Sequence, residues 1–239
     1  MNVLFIVLKK KNLLYMSAIL FIIIIFLTCN MLHVSQAFNQ NHVDKNEVEY
    51  LILIYIEEKK LYLSENNICI KEYPIASGKP GWPSPIGQWK IVEKSKWGEE
   101  FGGRWLGLNV LWGKYGIHGT TRESTIGRAT SHGCIRMFNK DVKELYNIVP
   151  VGTPVIIKYG DFGSFGTGFR ELKPANRGAD VLAVQQKLKE LGYFKGSESG
   201  IYRDDLKYAL HKFQRDRQLK IKDIITYDDY HAMGFSEFE

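Results

Sequence analysis

The sequence predicts a mainly β domain with one short helix, then a small all-α bundle of three helices, with an apolar helix at the N-terminus. Three observations lead to this prediction. Short apolar segments separated by polar turns follow one another over residues 48–91, apolar residues recur at helical spacing beyond residue 172, and residues 13–32 are almost wholly apolar. The 239 residues suffice for two modest domains and a targeting segment.

The apolar segment lies in a first region, residues 1–37, which we predict to be a transmembrane anchor or a signal peptide. About 20 uncharged residues match a bilayer span, and Lys9, Lys10 and Lys11 just before them place the N-terminus in the cytoplasm. The run exceeds the roughly 7–15 residues of a signal-peptide core, which favours an uncleaved anchor, whereas residues 35–37 resemble a cleavage site. The rest of the chain is expected outside the cytoplasm, anchored to the membrane or secreted.

The charge of this outer part is modest. The chain carries a formal charge of +6. The only charges in residues 1–37 are Lys9, Lys10 and Lys11, so the rest of the chain carries +3. Residues 38–239 contain no basic run with interleaved aromatic residues. Nucleic acid is therefore not expected as a partner.

Residues 48–158 are predicted to form the β domain. Strands are expected at residues 50–56, 61–63, 68–70 and 155–157, and their close spacing favours meandering antiparallel sheets. Cys69 lies between two isoleucines and is predicted to be a core residue. One helix is predicted over residues 139–148, with Asn139 as its N-cap.

A glycine-rich linker is predicted at residues 159–171, and a helical bundle at residues 172–239. Two apolar stripes at helical spacing predict its first two helices. The stripes consist of Val181, Val184, Leu188 and Leu191, and of Leu206, Ala209, Leu210, Phe213 and Gln214. Gly192 is expected to end the first helix, and a third is expected to begin after Thr226.

Candidate chemistry is concentrated between residues 115 and 137. Cys134 lies near His118 and His132, each histidine is followed by a glycine (Gly119 and Gly133), and Arg136 comes two residues after the thiol. A free thiol has a pKa of about 8.5 and needs a neighbouring base to become a nucleophile. Glycine beside the cysteine would let main-chain N–H groups face a developing oxyanion. These residue types predict a cysteine nucleophile site.

Two other interpretations fit the same residues. The cysteine could be a small buried side chain among structural histidines. Two histidines and one cysteine could also bind zinc, although no further Cys or His pair lies nearby at the usual ligand spacing.

The motif resembles the signature of the L,D-transpeptidases with a YkuD-type catalytic domain. The resemblance rests on the segments His118-Gly119-Thr120 and Ser131-His132-Gly133-Cys134-Ile135-Arg136. A Gly-Lys followed by a Pro-x-Pro-x-Gly segment, within residues 77–87, extends it upstream, so that it covers roughly residues 48–158. It implies a YkuD-like β-sandwich with a short helix and favours the catalytic interpretation.

The resemblance also implies roles for these residues. Cys134 would be the nucleophile, and His118 its base, oriented by the carbonyl of Gly119. His132 would line the acyl site, and the N–H groups of Gly133 and Cys134 would form the oxyanion hole. Arg136 would stabilise the site or a substrate carboxylate, and Ser131 is predicted to contact the substrate. No metal or organic cofactor is implied.

Residues 172–233 resemble the three-helix peptidoglycan-binding domain that is often attached to wall enzymes. The resemblance rests on the pattern from Asp180 to Tyr193, on Gly200-Ile201-Tyr202 and on Phe213-Gln214. The chain has Ser199-Gly200 and Lys220-Ile221-Lys222-Asp223 where the family usually has Asp-Gly. The alternative is a helical bundle that merely packs on the catalytic domain.

Together these resemblances predict an extracytoplasmic L,D-transpeptidase that acts on peptidoglycan stem peptides and reaches the membrane through its N-terminal helix. Cys134 would attack the bond before the terminal D-alanine of a stem tetrapeptide and pass the acyl group to an amine of a neighbouring stem. An L,D-carboxypeptidase that gives the same acyl group to water, and a catalytically silent wall-binding protein, remain as alternatives. The sequence leaves the oligomeric state open.

Overall fold

Nine strands form the β domain in a computed structural model, which describes residues 48–236. In chain order they are β1 (Tyr50–Tyr55), β2 (Lys60–Glu65), β3 (Ile68–Gly78), β4 (Gly87–Ser95), β5 (Trp105–Leu108), β6 (Tyr115–His118), β7 (Ala129–Ser131), β8 (Ile135–Met137) and β9 (Pro154–Lys158). The mainly β prediction is confirmed. The helix expected in residues 1–37 lies outside the described residues, and between residues 48 and 236 no helix has the length and apolar character to cross a membrane.

The sheet closes on itself. Its strand order is β2-β1-β9-β4-β5-β6-β8-β3-β7, and β2 also pairs with β3. The expected sandwich is therefore a curled, barrel-like sheet, because the pairing of β2 with β3 joins the first strand of this order to the last but one. The purely antiparallel meander is also wrong, since β1 pairs in parallel with β9 and β6 in parallel with β8. Apolar segments predict strands, but they do not determine which distant segment becomes the partner.

Four helices complete the described chain: α1 (Asn139–Ile148), α2 (Ala179–Glu190), α3 (Asp204–Asp216) and α4 (Tyr227–Ala232). The predicted helix at residues 139–148 is confirmed. Asn139, however, is its first residue rather than its cap, and Phe138 holds the cap position without a capping side chain. The exposed N-terminal amide of Asn139 instead donates to the Glu123 carboxylate at 2.9 Å.

Cys69 is not a core residue. It is exposed, and its neighbours Ile68 and Ile70 are 68% and 40% exposed. The first half of β3 is exposed on both faces and pairs only with β2, so apolar residues there reach no core. Cys69 and Cys134 are both free thiols.

The helical bundle has the core that its two stripes predict. Val181, Val184 and Leu188 from α2 are fully buried, and the stripe of α3 from Leu206 to Gln214 is buried throughout. Gly192 ends the first helix with a φ of 82°, a left-handed conformation suited to glycine. Thr226 caps α4 through a reciprocal bond with Asp229.

The bundle is not held by its linker alone. Within the predicted linker, Phe165 packs edge-on against Phe169 and Tyr230, which attaches that segment to the bundle. At the start of α2, Ala179 and Leu182 pack into the core of the β domain. Val48–Glu239 accordingly form one compact unit.

Candidate active site

Strands β6 and β8 place His118 and Arg136 side by side. They run in parallel, with Ile117 beside Ile135 and His118 beside Arg136. Both isoleucines are buried in the core. Because side chains alternate along a strand, His118 and Arg136 lie on the opposite face. Cys134 ends the turn that leads into β8.

The thiol of Cys134 is largely protonated at neutral pH. Burial raises its pKa, while a hydrogen bond from the Gly116 backbone N–H and the positive charge of Arg136 act in the opposite direction. Since the thiolate is the nucleophilic form, this thiol needs a proton acceptor beside it before it can react.

His118 is suited to accept that proton. It is 5% exposed, and its Nδ1 lies 2.6 Å from the carbonyl oxygen of Gly119. A carbonyl only accepts, so Nδ1 carries the hydrogen and Nε2 has a free lone pair. Burial lowers the pKa of His118 to about 4, the Arg136 charge adds to this effect, and the Gly119 carbonyl opposes it. The imidazole is therefore neutral at physiological pH.

The thiol and the imidazole are not directly bonded. Among the hydrogen bonds of residues 48–236, none joins His118 to Cys134. Catalytic bonds of this kind are often long without substrate and tighten in the complex.

Ser131 and Gly133 shape the turn before Cys134. The Ser131 hydroxyl donates to the carbonyl of Cys134 at 2.6 Å and accepts the N–H of Gly133 at 3.0 Å. Ser131 is fully buried, and its hydroxyl supports the turn. The Gly133 N–H, expected in the oxyanion hole, is also engaged by this hydroxyl.

Glycine is required at position 133 for two reasons. Its φ is 112°, and a Cβ there would lie 2.6 Å from the Tyr115 ring and 3.1 Å from the carbonyl oxygen of Pro83. Tyr115 and the segment around Pro83 therefore form two close walls around the turn that carries Cys134.

His132 lies in a different environment. It is exposed and packs edge-on against Trp82, with ring centroids 5.1 Å apart. Trp82 is itself 55% exposed. The pair forms an aromatic rim beside Cys134, and Trp82 is a site neighbour that the sequence analysis did not single out among the tryptophans.

Arg136 and His118 line a cavity of about 250 Å³. Its other lining residues are Glu100, Phe101, Thr120, Thr121 and Arg122. The Nε of Arg136 is buried and has no hydrogen-bond partner among residues 48–236. Two guanidinium groups against one carboxylate give the cavity a cationic lining that suits a carboxylate ligand.

Asn139 is a positioning residue that the sequence analysis missed. Its side-chain oxygen accepts the N–H of Thr120 at 2.8 Å, and a Cβ on Gly119 would lie only 2.3 Å from that oxygen. Asn139 therefore fixes the Gly119–Thr120 backbone, whose Gly119 carbonyl orients His118. The only sequence signal was an asparagine at a helix start, which was interpreted as a cap.

The site offers no evident metal centre. Between residues 48 and 236, no three His, Cys, Asp or Glu side chains come together in an arrangement that could hold a metal ion.

A closed β-sheet with a buried histidine on one strand and a cysteine directly before the neighbouring strand defines a mainly β domain with a Cys/His site. Residues 49–157 match the YkuD family model, described as "L,D-transpeptidase catalytic domain". Residues 177–223 match a model described as "Putative peptidoglycan binding domain".

Two curated relatives extend the match. The "Putative L,D-transpeptidase YkuD" of Bacillus subtilis is 47% identical over 115 residues, which are 48% of this chain and 69% of that protein. Its namesake from Bacillus licheniformis is 45% identical over 111 residues, 46% of this chain and 66% of that protein. The chain belongs to the YkuD family of L,D-transpeptidases.

Among solved structures, the "L,D-transpeptidase from Mycobacterium smegmatis" is similar over 47% of this chain and 59% of that chain, with 22% identity and a TM-score of 0.41. The chain thus spans roughly two thirds of its curated relatives and about three fifths of this solved chain.

Proposed function

We propose that the chain is an L,D-transpeptidase that cross-links peptidoglycan stem peptides through an acyl-enzyme on Cys134. The observation that carries the proposal is His118, a buried neutral imidazole with its Nδ1 fixed on Gly119 and its Nε2 free, on the strand that pairs with β8, which begins directly after Cys134. Family membership gives the reaction class.

In the first half of the reaction, the Cys134 proton passes to Nε2 of His118 as the sulfur attacks the carbonyl carbon before the terminal D-alanine. The C–N bond then breaks, and the imidazolium returns its proton to the leaving D-alanine amine. A thioester on Cys134 remains. In the second half, an amine of a neighbouring stem loses its proton to His118, attacks the thioester and releases the thiol.

The main-chain donors available to the oxyanion differ from those that the resemblance implies. Because Ser131 holds the Gly133 N–H and the Gly116 N–H donates to the sulfur itself, the main-chain donor left near the sulfur is that of Cys134. Donors of this kind stabilise charge that develops in the transition state. The Gly133 N–H would contribute only if its bond to Ser131 opened.

The cationic cavity has a second effect on the mechanism. Arg136 opposes protonation of His118, which weakens the base in the free enzyme. A substrate carboxylate bound between Arg122 and Arg136 would offset that charge and raise the pKa of His118. Substrate binding would therefore strengthen the base at the time it is needed.

We also place the enzyme outside the cytoplasm, held in the membrane by residues 13–32 or secreted to the cell wall, with the helical bundle as a wall-binding module. The apolar segment and the match of residues 177–223 to a peptidoglycan-binding family support this placement.

The test is mass analysis of stem tetrapeptides incubated with the full chain and an amine acceptor. We expect loss of D-alanine, a cross-linked product, and neither of them with Cys134→Ala. Cys69→Ala is the matched control and should behave as the parent chain, since Cys69 is exposed on β3. Tripeptide without cross-linked product would favour the carboxypeptidase. No change in either peptide would identify a silent wall-binding protein.

A further inference from the structure

The helical bundle contacts the β domain at Trp112, in the loop between β5 and β6. Trp112 is 4% exposed, and a Cβ on Gly200 would lie 2.4 Å from its Cε3 atom. The backbone of Gly200 therefore lies directly on the indole. Around this contact, Ala179, Leu182 and Ile201 of the bundle pack against the core of the β domain.

From Trp112, one route leads to the active site through Trp89. The two rings pack edge-on at 5.2 Å, and the Trp89 indole N–H donates to the carbonyl of Pro85 at 2.8 Å. Pro85 lies two residues from Pro83, whose carbonyl forms one wall against Gly133. The Trp112 ring thus supports the segment that confines the nucleophile turn.

A second route leads through Tyr115. Tyr115 follows Trp112 by three residues and packs against the same apolar core that contains the Trp112 ring. Burial raises the pKa of the Tyr115 phenol, and the charge of Arg177 in the bundle acts in the opposite direction. The Tyr115 ring forms the other wall against Gly133, and Tyr115 begins the strand that ends at His118. Both walls around Cys134 therefore depend on one tryptophan that the bundle covers.

We propose that the bundle is part of the support of the active site. By docking Gly200 onto Trp112, it fixes Tyr115 and the Pro83–Pro85 segment around Cys134, so that the reactivity of this thiol depends on docking. Trp112 is then a positioning residue that acts through Tyr115 and Trp89. The inference rests on the proposed function only in that Cys134 is the reacting group.

Two glycines of the bundle provide a matched test. Gly200 and Gly192 both have positive φ, 66° and 82°, so an L side chain is strained at either position. A Cβ on Gly192 meets nothing within 4 Å, whereas one on Gly200 meets the Trp112 ring. In the full chain, Gly200→Ala and Gly192→Ala therefore differ mainly in whether they disturb docking.

The measurement is the rate of alkylation of Cys134 by iodoacetamide as a function of pH, quantified on the Cys134 peptide by mass spectrometry. Gly200→Ala should shift the pH profile and slow turnover of stem peptide on the order of 10–100-fold, the range that small misplacement of reacting groups produces. Gly192→Ala should leave both unchanged, although its positive φ also lowers its thermal stability. Equal alkylation profiles in the two variants would overturn the proposal.

Two variants of Trp112 test the same proposal if the Gly200→Ala chain does not fold. Trp112→Phe keeps an aromatic ring between Gly200 and Trp89 and should keep most of the alkylation rate, and Trp112→Ala should lose it while helical circular dichroism persists. An unchanged profile in Trp112→Ala would overturn the proposal. Alkylation needs no stem peptide, so a parent chain that fails to cross-link stems refutes the proposed function and leaves this test intact.

Discussion

The end of β6 and the turn before β8 each carry a histidine, and the two imidazoles have opposite environments. His118 is buried, bonded to the Gly119 carbonyl and flanked by the Phe101 ring at 5.1 Å. His132 is exposed and contacts only the edge of Trp82 among the aromatic rings of residues 48–236. The difference indicates that surroundings, rather than distance from Cys134 along the chain, decide which histidine can act as a base.

The largest effect is expected from His118→Gln. Glutamine keeps polar atoms in the buried site but cannot accept and return a proton, so kcat/KM for a stem tetrapeptide should fall by about 10²–10⁴-fold, the usual loss of a general base. Steady-state kinetics of D-alanine release measures it. His132→Gln is the control and should lose far less; a larger loss in His132→Gln would reverse the two roles.

The burial of His118 also affects the stability of the fold at low pH. His118 has a pKa of about 4 in the folded chain, mainly because of burial, against an ordinary value of about 6.5 when unfolded. Between these values the unfolded chain binds more protons, so stability should fall as the pH drops from about 6.5 to about 4. The full contribution of His118 to the free energy of unfolding is about 3 kcal/mol.

Chemical denaturation at pH 7 and pH 4 checks this, with the parent chain compared with His118→Gln. The loss of unfolding free energy on acidification should be smaller in His118→Gln, which lacks the titrating group. A parent chain and a His118→Gln variant with the same pH dependence would contradict the buried, neutral imidazole.

The third prediction tests what holds His118 in place. Asn139→Ala leaves the Thr120 N–H without its acceptor, which should cost about 1–3 kcal/mol of unfolding free energy and allow the Gly119 carbonyl to move. We expect a lower kcat with little change in KM. Asn139→Asp keeps an acceptor oxygen and should recover most of kcat. A variant that loses stability while kcat is retained would limit Asn139 to a structural role.

The parts of the fold that depend on local spacing could be predicted from sequence. The stripe of Val181, Val184 and Leu188 is buried as expected, and α1 spans residues 139–148 as expected. In both cases the signal is a periodic pattern within about three turns, and the partner surface need not be known to recognise it.

The parts that depend on distant neighbours could not be predicted. Cys69 has the pattern of a buried strand, but its stretch of β3 has no layer above or below it. Asn139 has the pattern of a cap, but its oxygen reaches back to Thr120 across 19 residues. The same holds for the site: residue types identified Cys134 and its two histidines, whereas the choice between His118 and His132 came from the family resemblance. Burial and the Gly119 bond became visible only in the structure.

The smallest effect is expected at His132. An edge-on contact between aromatic rings stabilises by about 0.5–1.5 kcal/mol. The contact between His132 and Trp82 contributes less than a buried one because both rings are exposed to solvent. If this rim contacts the bound stem peptide, His132→Ala should raise KM by at most about tenfold and leave kcat unchanged, because 1.4 kcal/mol corresponds to a factor of ten in affinity. His132→Phe keeps the aromatic contact with Trp82 and should restore KM, although it cannot accept a proton. Steady-state kinetics of the two variants therefore separates the functions of this side chain. Recovery with phenylalanine supports a rim that binds through aromatic contact, and a kcat that falls equally in both variants would show that the imidazole of His132 takes part in proton transfer.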